Sequence, residues 1–264
     1  MAYWTKTFVV DDDPNVMMRC NEGHVKIGPA EDRRVNVQAR DRGIRLPVFG
    51  VWDVRRLQVR DSHSLSRIQL DVAFPRIRYL GGFVLPFSRV LVTVPRRVGL
   101  DIETYDGGIV LSGLEGACRL LSRSGNIDAS TDGDLEAIAQ NGNIRAAGGF
   151  GALNLQSNSG NIRVELAAGC RMKSDWKITA WNGNIDLQCP PDLVADLDAD
   201  AKGGRVLVDL PSGVPHEGSS YREALNGGGC LLRLRSTNGH IRIQRAGTNS
   251  SDHVESSLAP PARA

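Results

Sequence analysis

Ser124-Gly125-Asn126-Ile127-Asp128-Ala129 returns 17 residues on as Asn141-Gly142-Asn143-Ile144-Arg145-Ala146. It returns again as Ser159-Gly160-Asn161-Ile162-Arg163-Val164 and as Asn182-Gly183-Asn184-Ile185-Asp186-Leu187. Weaker copies start at Gly23, Gly108, Gly133, Gly204 and Gly239. Repetition of one turn-plus-strand unit at a fixed period marks a coil of stacked units. Ser-Gly and Asn-Gly are turn pairs, because glycine turns without a steric penalty from a Cβ. The apolar-polar-apolar triplet that follows sends two side chains to one face and one to the other. Ile127 and Ala129 are therefore expected inside with Asp128 outside, and likewise Ile144/Ala146 with Arg145 and Ile185/Leu187 with Asp186.

Units stacked about 4.8 Å apart would align equivalent residues in ladders. The expected inward ladder runs Ile127, Ile144, Ile162, Ile185, Val206, Ile241. The expected corner ladder is Asn126, Asn143, Asn161 and Asn184, whose amides would hydrogen-bond along the axis. The twelve residues Gly125, Asn126, Ile127, Gly142, Asn143, Ile144, Gly160, Asn161, Ile162, Gly183, Asn184 and Ile185 thus form a structural turn and ladder set. Asn-Gly between alternating strands also marks hairpins, and Gly125–Gly133–Gly142 fits a meander locally. Recurrence of the motif in one phase favours the coil. Gly133, midway between Gly125 and Gly142, suggests two corners per unit.

Working outward, the steps are 17 residues from Gly108 to Gly125, 18 from Gly142 to Gly160, then 23, 21 and 35 on to Gly239. The longest step hides an extra unit or an excursion through Pro211-Ser212-Gly213-Val214-Pro215. Upstream, residues 3–10 alternate and stop at Asp11-Asp12-Asp13-Pro14. Val35-Asn36-Val37-Gln38-Ala39 and Ile68-Gln69-Leu70-Asp71-Val72 alternate with period two, and Val90-Leu91-Val92-Thr93-Val94 closes on Pro95. Residues 41–56 read as an irregular Arg-rich connection, and Tyr221-Arg222-Glu223-Ala224-Leu225 is the best short helix candidate. The expected fold is all-β, a single-stranded β-helix or β-solenoid with rungs of about 17–23 residues. It occupies 1–246, irregular over 1–89 and regular over 90–246, with a disordered tail over 247–264.

Val94-Pro95-Arg96-Arg97-Val98-Gly99-Leu100-Asp101-Ile102-Glu103-Thr104-Tyr105-Asp106-Gly107-Gly108-Ile109, followed by the repeated Ser/Asn-Gly-Asn-Ile turns, resembles a bacterial family: the "putative adhesin" domain of unknown function. The resemblance spans residues 5–245. It implies a β-solenoid and defines no catalytic residues.

Composition narrows the function. Of 264 residues 29 are glycine and 5% are aromatic, as many turns around a thin aliphatic core require. The net charge is +2, which gives no global case for nucleic acid, although residues 1–100 carry 17 Lys/Arg against 10 Asp/Glu (+7) and 101–264 carry 15 against 20 (−5). Cys20, Cys118, Cys170, Cys189 and Cys230 are odd in number and dispersed, without CxxC, which argues against a disulfide framework or a zinc site. No signal peptide or membrane span is read, so the expected location is the cytoplasm, with a surface role requiring an unrecognised export route.

No catalytic, cofactor or metal residue is assigned. No Ser-His-Asp, HExxH, GxSxG or P-loop pattern occurs, and Gly227-Gly228-Gly229 reads as a loop. His24 and His240 fill the slot taken by Asn in other copies. The carboxylates Asp128, Glu136, Asp186 and Asp209 read as one outward series with Arg145, Arg163, Leu207 and Arg242, a mixed-charge surface. Phe74, Tyr79, Phe83 and Phe87 beside Pro75 and Pro86 read as core or as a lateral strand layer, and an exposed version would be a partner-binding patch. The expected function is a non-enzymatic binding or scaffold module without cofactor. Its partner is an unknown protein or a second copy stacked end to end. The alternatives are an exported surface adhesin and a carbohydrate-active β-helix enzyme.

Overall fold

The structure is a computed structural model, described here over residues 2–41, 57–74, 88–210 and 216–246. The aromatic cluster at Tyr79, Phe83 and Phe87, the 42–56 connection, the Pro211–Pro215 excursion and the tail lie outside the described residues. All regular structure among the described residues is β, in one sheet of 12 strands (sheet A) and one of 11 (sheet B).

In the repeat region each unit gives one strand to each sheet. In chain order the sheet B and sheet A strands are β8 (Gly99–Asp106) and β9 (Ile109–Leu114), then β10 (Cys118–Ser124) and β11 (Ile127–Thr131). Next come β12 (Leu135–Asn141) and β13 (Ile144–Gly148), β14 (Leu153–Ser159) and β15 (Ile162–Leu166), and β16 (Trp176–Asn182) and β17 (Ile185–Cys189). Successive units pair in parallel without slippage through the turns, as in Ile127↔Ile144, Ile144↔Ile162 and Ile162↔Ile185. Burial alternates with period two along these strands, with a break near the end of β9 where the register shifts, so each has a core face and an outward face. Ile127, Ile144, Ile162 and Ile185 are fully buried in sheet A. Leu100, Cys118, Leu135, Leu153 and Trp176 form a buried row of sheet B at the other corner. Each such side chain contributes about 1.5–3 kcal/mol by leaving water. Trp176 also donates its indole N–H to the Gly151 carbonyl at 3.1 Å, so its one polar atom is satisfied in the core.

The ends depart from sequential order. At the start, β2 (Asn15–Glu22) and β3 (His24–Ala30) do not form the outermost unit. They lie between β8/β9 and a later unit, β6 (Arg67–Ala73) and β7 (Ser88–Pro95). At the other end, β18 (Ala195–Ala201) and β19 (Val206–Asp209) skip one position. The last unit, β22 (Leu231–Asn238) and β23 (Ile241–Arg245), fills the gap they leave against β16/β17. The inward ladder therefore runs Ile185, Ile241, Val206, correcting the order expected from the sequence. Motif phase fixes which residues align across a stack but not the order in which units stack.

Antiparallel strands close both ends. β4 (Arg34–Asp41) and β1 (Ala2–Val9) extend sheet A beyond β7, and β5 (Gln58–His63) extends sheet B beyond β6. Lys6 of β1 pairs with Asp61 of β5, and the Phe8 and His63 rings meet at 5.2 Å, clasping the two sheets. At the far end β20 (His216–Gly218) pairs with β19 and β21 (Ser220–Leu225) with β18. The short helix expected over Tyr221–Leu225 is thus strand β21. Its residues alternate exposed and half-buried, and ladder bonds to β18 outweigh the weak helical preference of Glu-Ala-Leu.

Candidate functional site

The repeated turn makes one corner of the stack. Gly107, Gly125, Gly142, Gly160 and Gly183 lie in a column so tight that a Cβ on any of the last four would sit 2.1–2.2 Å from the carbonyl oxygen of the glycine before it. This column requires glycine because a backbone carbonyl fills the space. The same carbonyls accept buried hydroxyls from sheet B: Ser122 to Gly107 at 3.1 Å, Ser157 to Gly142 at 3.1 Å and Ser236 to Gly183 at 3.0 Å.

The next residue holds the corner on its outer side. Asn126 Oδ1 accepts the Asn143 N–H at 2.9 Å, Asn143 Oδ1 that of Asn161 at 2.8 Å, and Asn161 Oδ1 that of Asn184 at 2.8 Å. The ladder is therefore side chain to backbone, not amide to amide as the sequence suggested, because the turn leaves that N–H without a sheet partner. Amide-to-amide bonding occurs instead one corner residue earlier, from Asn238 to Asn182 at 2.8 Å. His24 and His240 play the Asn part: Nδ1 of His24 accepts the Gly108 N–H at 3.3 Å, and Nδ1 of His240 accepts that of Arg205 at 3.1 Å. The two histidines are six strand spacings apart in sheet A, about 29 Å, so they serve as corner acceptors at opposite ends. Replacing Asn143 with Ala strands the Asn161 N–H and is expected to cost about 1–2 kcal/mol. His240→Asn should preserve stability where His240→Ala does not, as paired urea melts will show.

The outward carboxylates do not form one series. Asp128, Asp186 and Asp209 project from sheet A, while Glu136 projects from sheet B and pairs with Arg119 at 3.3 Å. Each unit has two corners, so a residue after the second corner belongs to the other face. Asp128 and Asp186 are about 14 Å apart, with Arg145 and Arg163 between them in the register. Other acids are committed to structure: Asp132, Asp134, Asp175 and Asp192 each accept a backbone N–H from the neighbouring unit at 2.9–3.0 Å. Burial pushes the Cys20, Cys118 and Cys189 thiols up to about 12, which removes them as nucleophiles at neutral pH. Among the described residues no group of three or more His, Cys, Asp or Glu could hold a metal ion.

One carboxylate ties the far end together. Asp198 on β18 meets Arg235 at 2.6 Å, Arg222 at 3.1 Å and Arg233 at 3.8 Å, linking β21, β18 and β22. Hydrogen bonds from Arg235, aided by Arg222, hold its carboxyl below the usual carboxylate range. A depressed folded-state value stabilises above the unfolded value, near 4, and that contribution is lost as pH falls through the folded value. Stability of the wild type should therefore fall more steeply below pH 4 than that of Asp198→Asn, which acid titration followed by circular dichroism will test.

The outward face of sheet B differs from these committed surfaces in its centre. Ile138 and Gln140 on β12, Gln156 and Asn158 on β14, and Thr179 and Trp181 on β16 form two adjacent rows of three. None of the six is ionisable. Trp181 is 45% exposed. Gln140, Gln156 and Asn158 have no side-chain hydrogen bond among the described residues. Thr179 Oγ1 is, among the described residues, the buried side-chain polar atom left without a partner. Charges ring the patch: Glu103 paired with Arg19, Arg119 with Glu136, Arg123 stacked 4.5 Å from the Tyr105 ring centre, and Arg235 on Asp198. Nothing in the sequence marks this patch, since its residues are outward positions that only the stacking register brings together.

No protein-family model matches the chain, and no curated protein matches it. Similar solved structures include a "putative cell adhesion protein" from Clostridium sporogenes ATCC 15579, 10% identical with a TM-score of 0.38, the match covering 92% of this chain and 99% of that one. A "putative adhesin" from Bacteroides fragilis NCTC 9343 is 12% identical with a TM-score of 0.36, covering 92% and 96%. A "putative lipid binding protein" from Parabacteroides distasonis ATCC 8503 is 10% identical with a TM-score of 0.28, covering 92% and 96%. Likeness at this level assigns neither family nor activity to the chain.

Proposed function

We propose that the chain is a non-enzymatic binding module, a β-solenoid whose regular lateral faces engage a partner. The observation that supports this reading is the division of labour among its polar groups. Carboxylates at the turns accept backbone N–H groups or pair with arginine, and corner amides serve the backbone, whereas the amides and indole at the centre of sheet B serve no structural bond. Groups held ready on a flat, rigid face suit recognition. Catalysis of glycan cleavage would instead need two acids flanking one bond.

The test is to incubate the purified chain with soluble polysaccharides and measure new reducing ends. The expected result is none above the buffer rate. Sustained release that scales with protein concentration would overturn the non-enzymatic reading. The end-stacked scaffold has a separate test. Antiparallel strands rather than repeat units finish both sheets at both ends, so a second copy stacked there would not meet the unit-to-unit corner that joins the repeats. Light scattering after size exclusion should give a monomer mass at every concentration and ionic strength. Salt-sensitive growth in mass would restore head-to-tail association driven by the +7/−5 charge division.

A further inference from the structure

We propose that the uncharged patch on sheet B binds a neutral glycan chain laid along the stacking direction of the strands, an inference that rests on the binding-module reading. Three features select this ligand. The first is charge. In a chain that is 23% Asp, Glu, Lys and Arg, the six patch residues carry none, while ion pairs rim them. The six positions carry no ionised group that a neutral ligand would have to desolvate, and two of the cations at their edges, Arg123 and Arg235, are engaged with the Tyr105 ring and with Asp198.

The second is hydrogen-bonding capacity. Gln140, Gln156 and Asn158 each present a carbonyl acceptor beside an NH2 donor. Vicinal sugar hydroxyls, each both donor and acceptor, match that pair. An apolar partner such as a lipid chain or an aliphatic protein surface would bury three amides with nothing to bond, at a cost for each. Several amides elsewhere bond within the chain, as at Asn21 with Phe74, Asn226 with Leu193 and the Asn126–Asn184 corner.

The third is shape. Trp181 offers an aromatic face to the C–H face of a pyranose ring. Gln140, Asn158 and Trp181 occupy one outward row on three successive strands, with Ile138, Gln156 and Thr179 in the row beside it. The patch therefore extends about 10 Å along the stack, long enough for two successive sugar rings, with one pair of outward side chains on each strand. The parallel backbone fixes that spacing before any ligand arrives, so little ordering is required on binding.

The experiment is affinity electrophoresis and titration calorimetry of the full chain. The neutral probes are a soluble β-1,3-glucan, an α-1,6-glucan and a xylan, and polygalacturonate is the charged comparison. At least one neutral polymer should bind, and polygalacturonate should not. Trp181→Ala and the double variant Gln140→Ala/Asn158→Ala should each weaken binding by tenfold or more with an unchanged melting temperature, since all three side chains lie outside the core. The proposal is overturned if no neutral polymer binds, or if both variants bind as tightly as the wild type. It is also overturned if Trp181→Ala converts a dimer to a monomer, which would make the patch a self-interface. Binding unchanged in the variants rejects this location alone, while reducing-end release rejects the binding-module reading, so the two failures are distinguishable.

Discussion

A chain ending at Gly229 is expected to lose the structure of residues 190–229 as well as the strands removed. β22 and β23 sit inside the stack, so their removal leaves β18/β19 and β16/β17 with a missing layer between them. Leu232, Leu234, Ile241 and Ile243 are fully buried. At about 1.5–3 kcal/mol each their loss removes about 6–12 kcal/mol, comparable to the whole stability of an ordinary domain. Asp198 would at the same time lose Arg233 and Arg235. Hydrogen exchange should show residues 190–229 unprotected in the shortened chain and residues 99–166 still protected. Persistent protection of 190–229 would show that β18–β21 form a unit stable without the inserted layer.

The second large effect concerns the corner. Gly142→Ala places a methyl 2.1 Å from the Gly125 carbonyl oxygen and 2.6 Å from its carbon. Both are backbone atoms inside a parallel ladder, so relief requires separating two units rather than turning a side chain. A penalty of about 3–5 kcal/mol is expected, which at about 2–4 °C per kcal/mol lowers the melting temperature by roughly 10 °C or more. Gly28→Ala is the control, since the nearest atom to its Cβ would be Ser112 Oγ at 4.0 Å. If the two variants melt together, the corner is softer than this packing indicates.

The alternation at Ile127-Asp128-Ala129 and its copies made the inward residues of the repeat region legible, and the recurrence at 17 and 18 residues made their parallel register legible. Local sequence could do this because a period-two pattern and a turn pair are local properties. The position of Ile241 between Ile185 and Val206 was not legible, because a unit in phase fits any position in the stack. The 35-residue step before Gly239 concealed the antiparallel β20 and β21, whose strands carry no repeat motif. Glu136 falls outside the outward series of Asp128 because Gly133 stacks on Gly116 at the second corner, which carries the chain to the other sheet. The amide and indole patch stayed hidden for a related reason. Gln140, Asn158 and Trp181 are 18 and 23 residues apart, and nothing in their identities marks them as neighbours.

The two interlocked ends divide the chain by how it can change length. From β8 to β17, neighbours in sequence are neighbours in space; each junction uses the same glycine carbonyl, and each after the first the same asparagine oxygen. Tandem duplication or excision of one 17- or 18-residue segment there would join equivalent corners and leave both ends intact. The same event within residues 15–95 or 190–245 would break a layer whose two neighbours come from distant parts of the chain. Genetic drift in repeat number is thereby confined to the middle, and the sheet B patch, which lies in that middle, would lengthen or shorten with it.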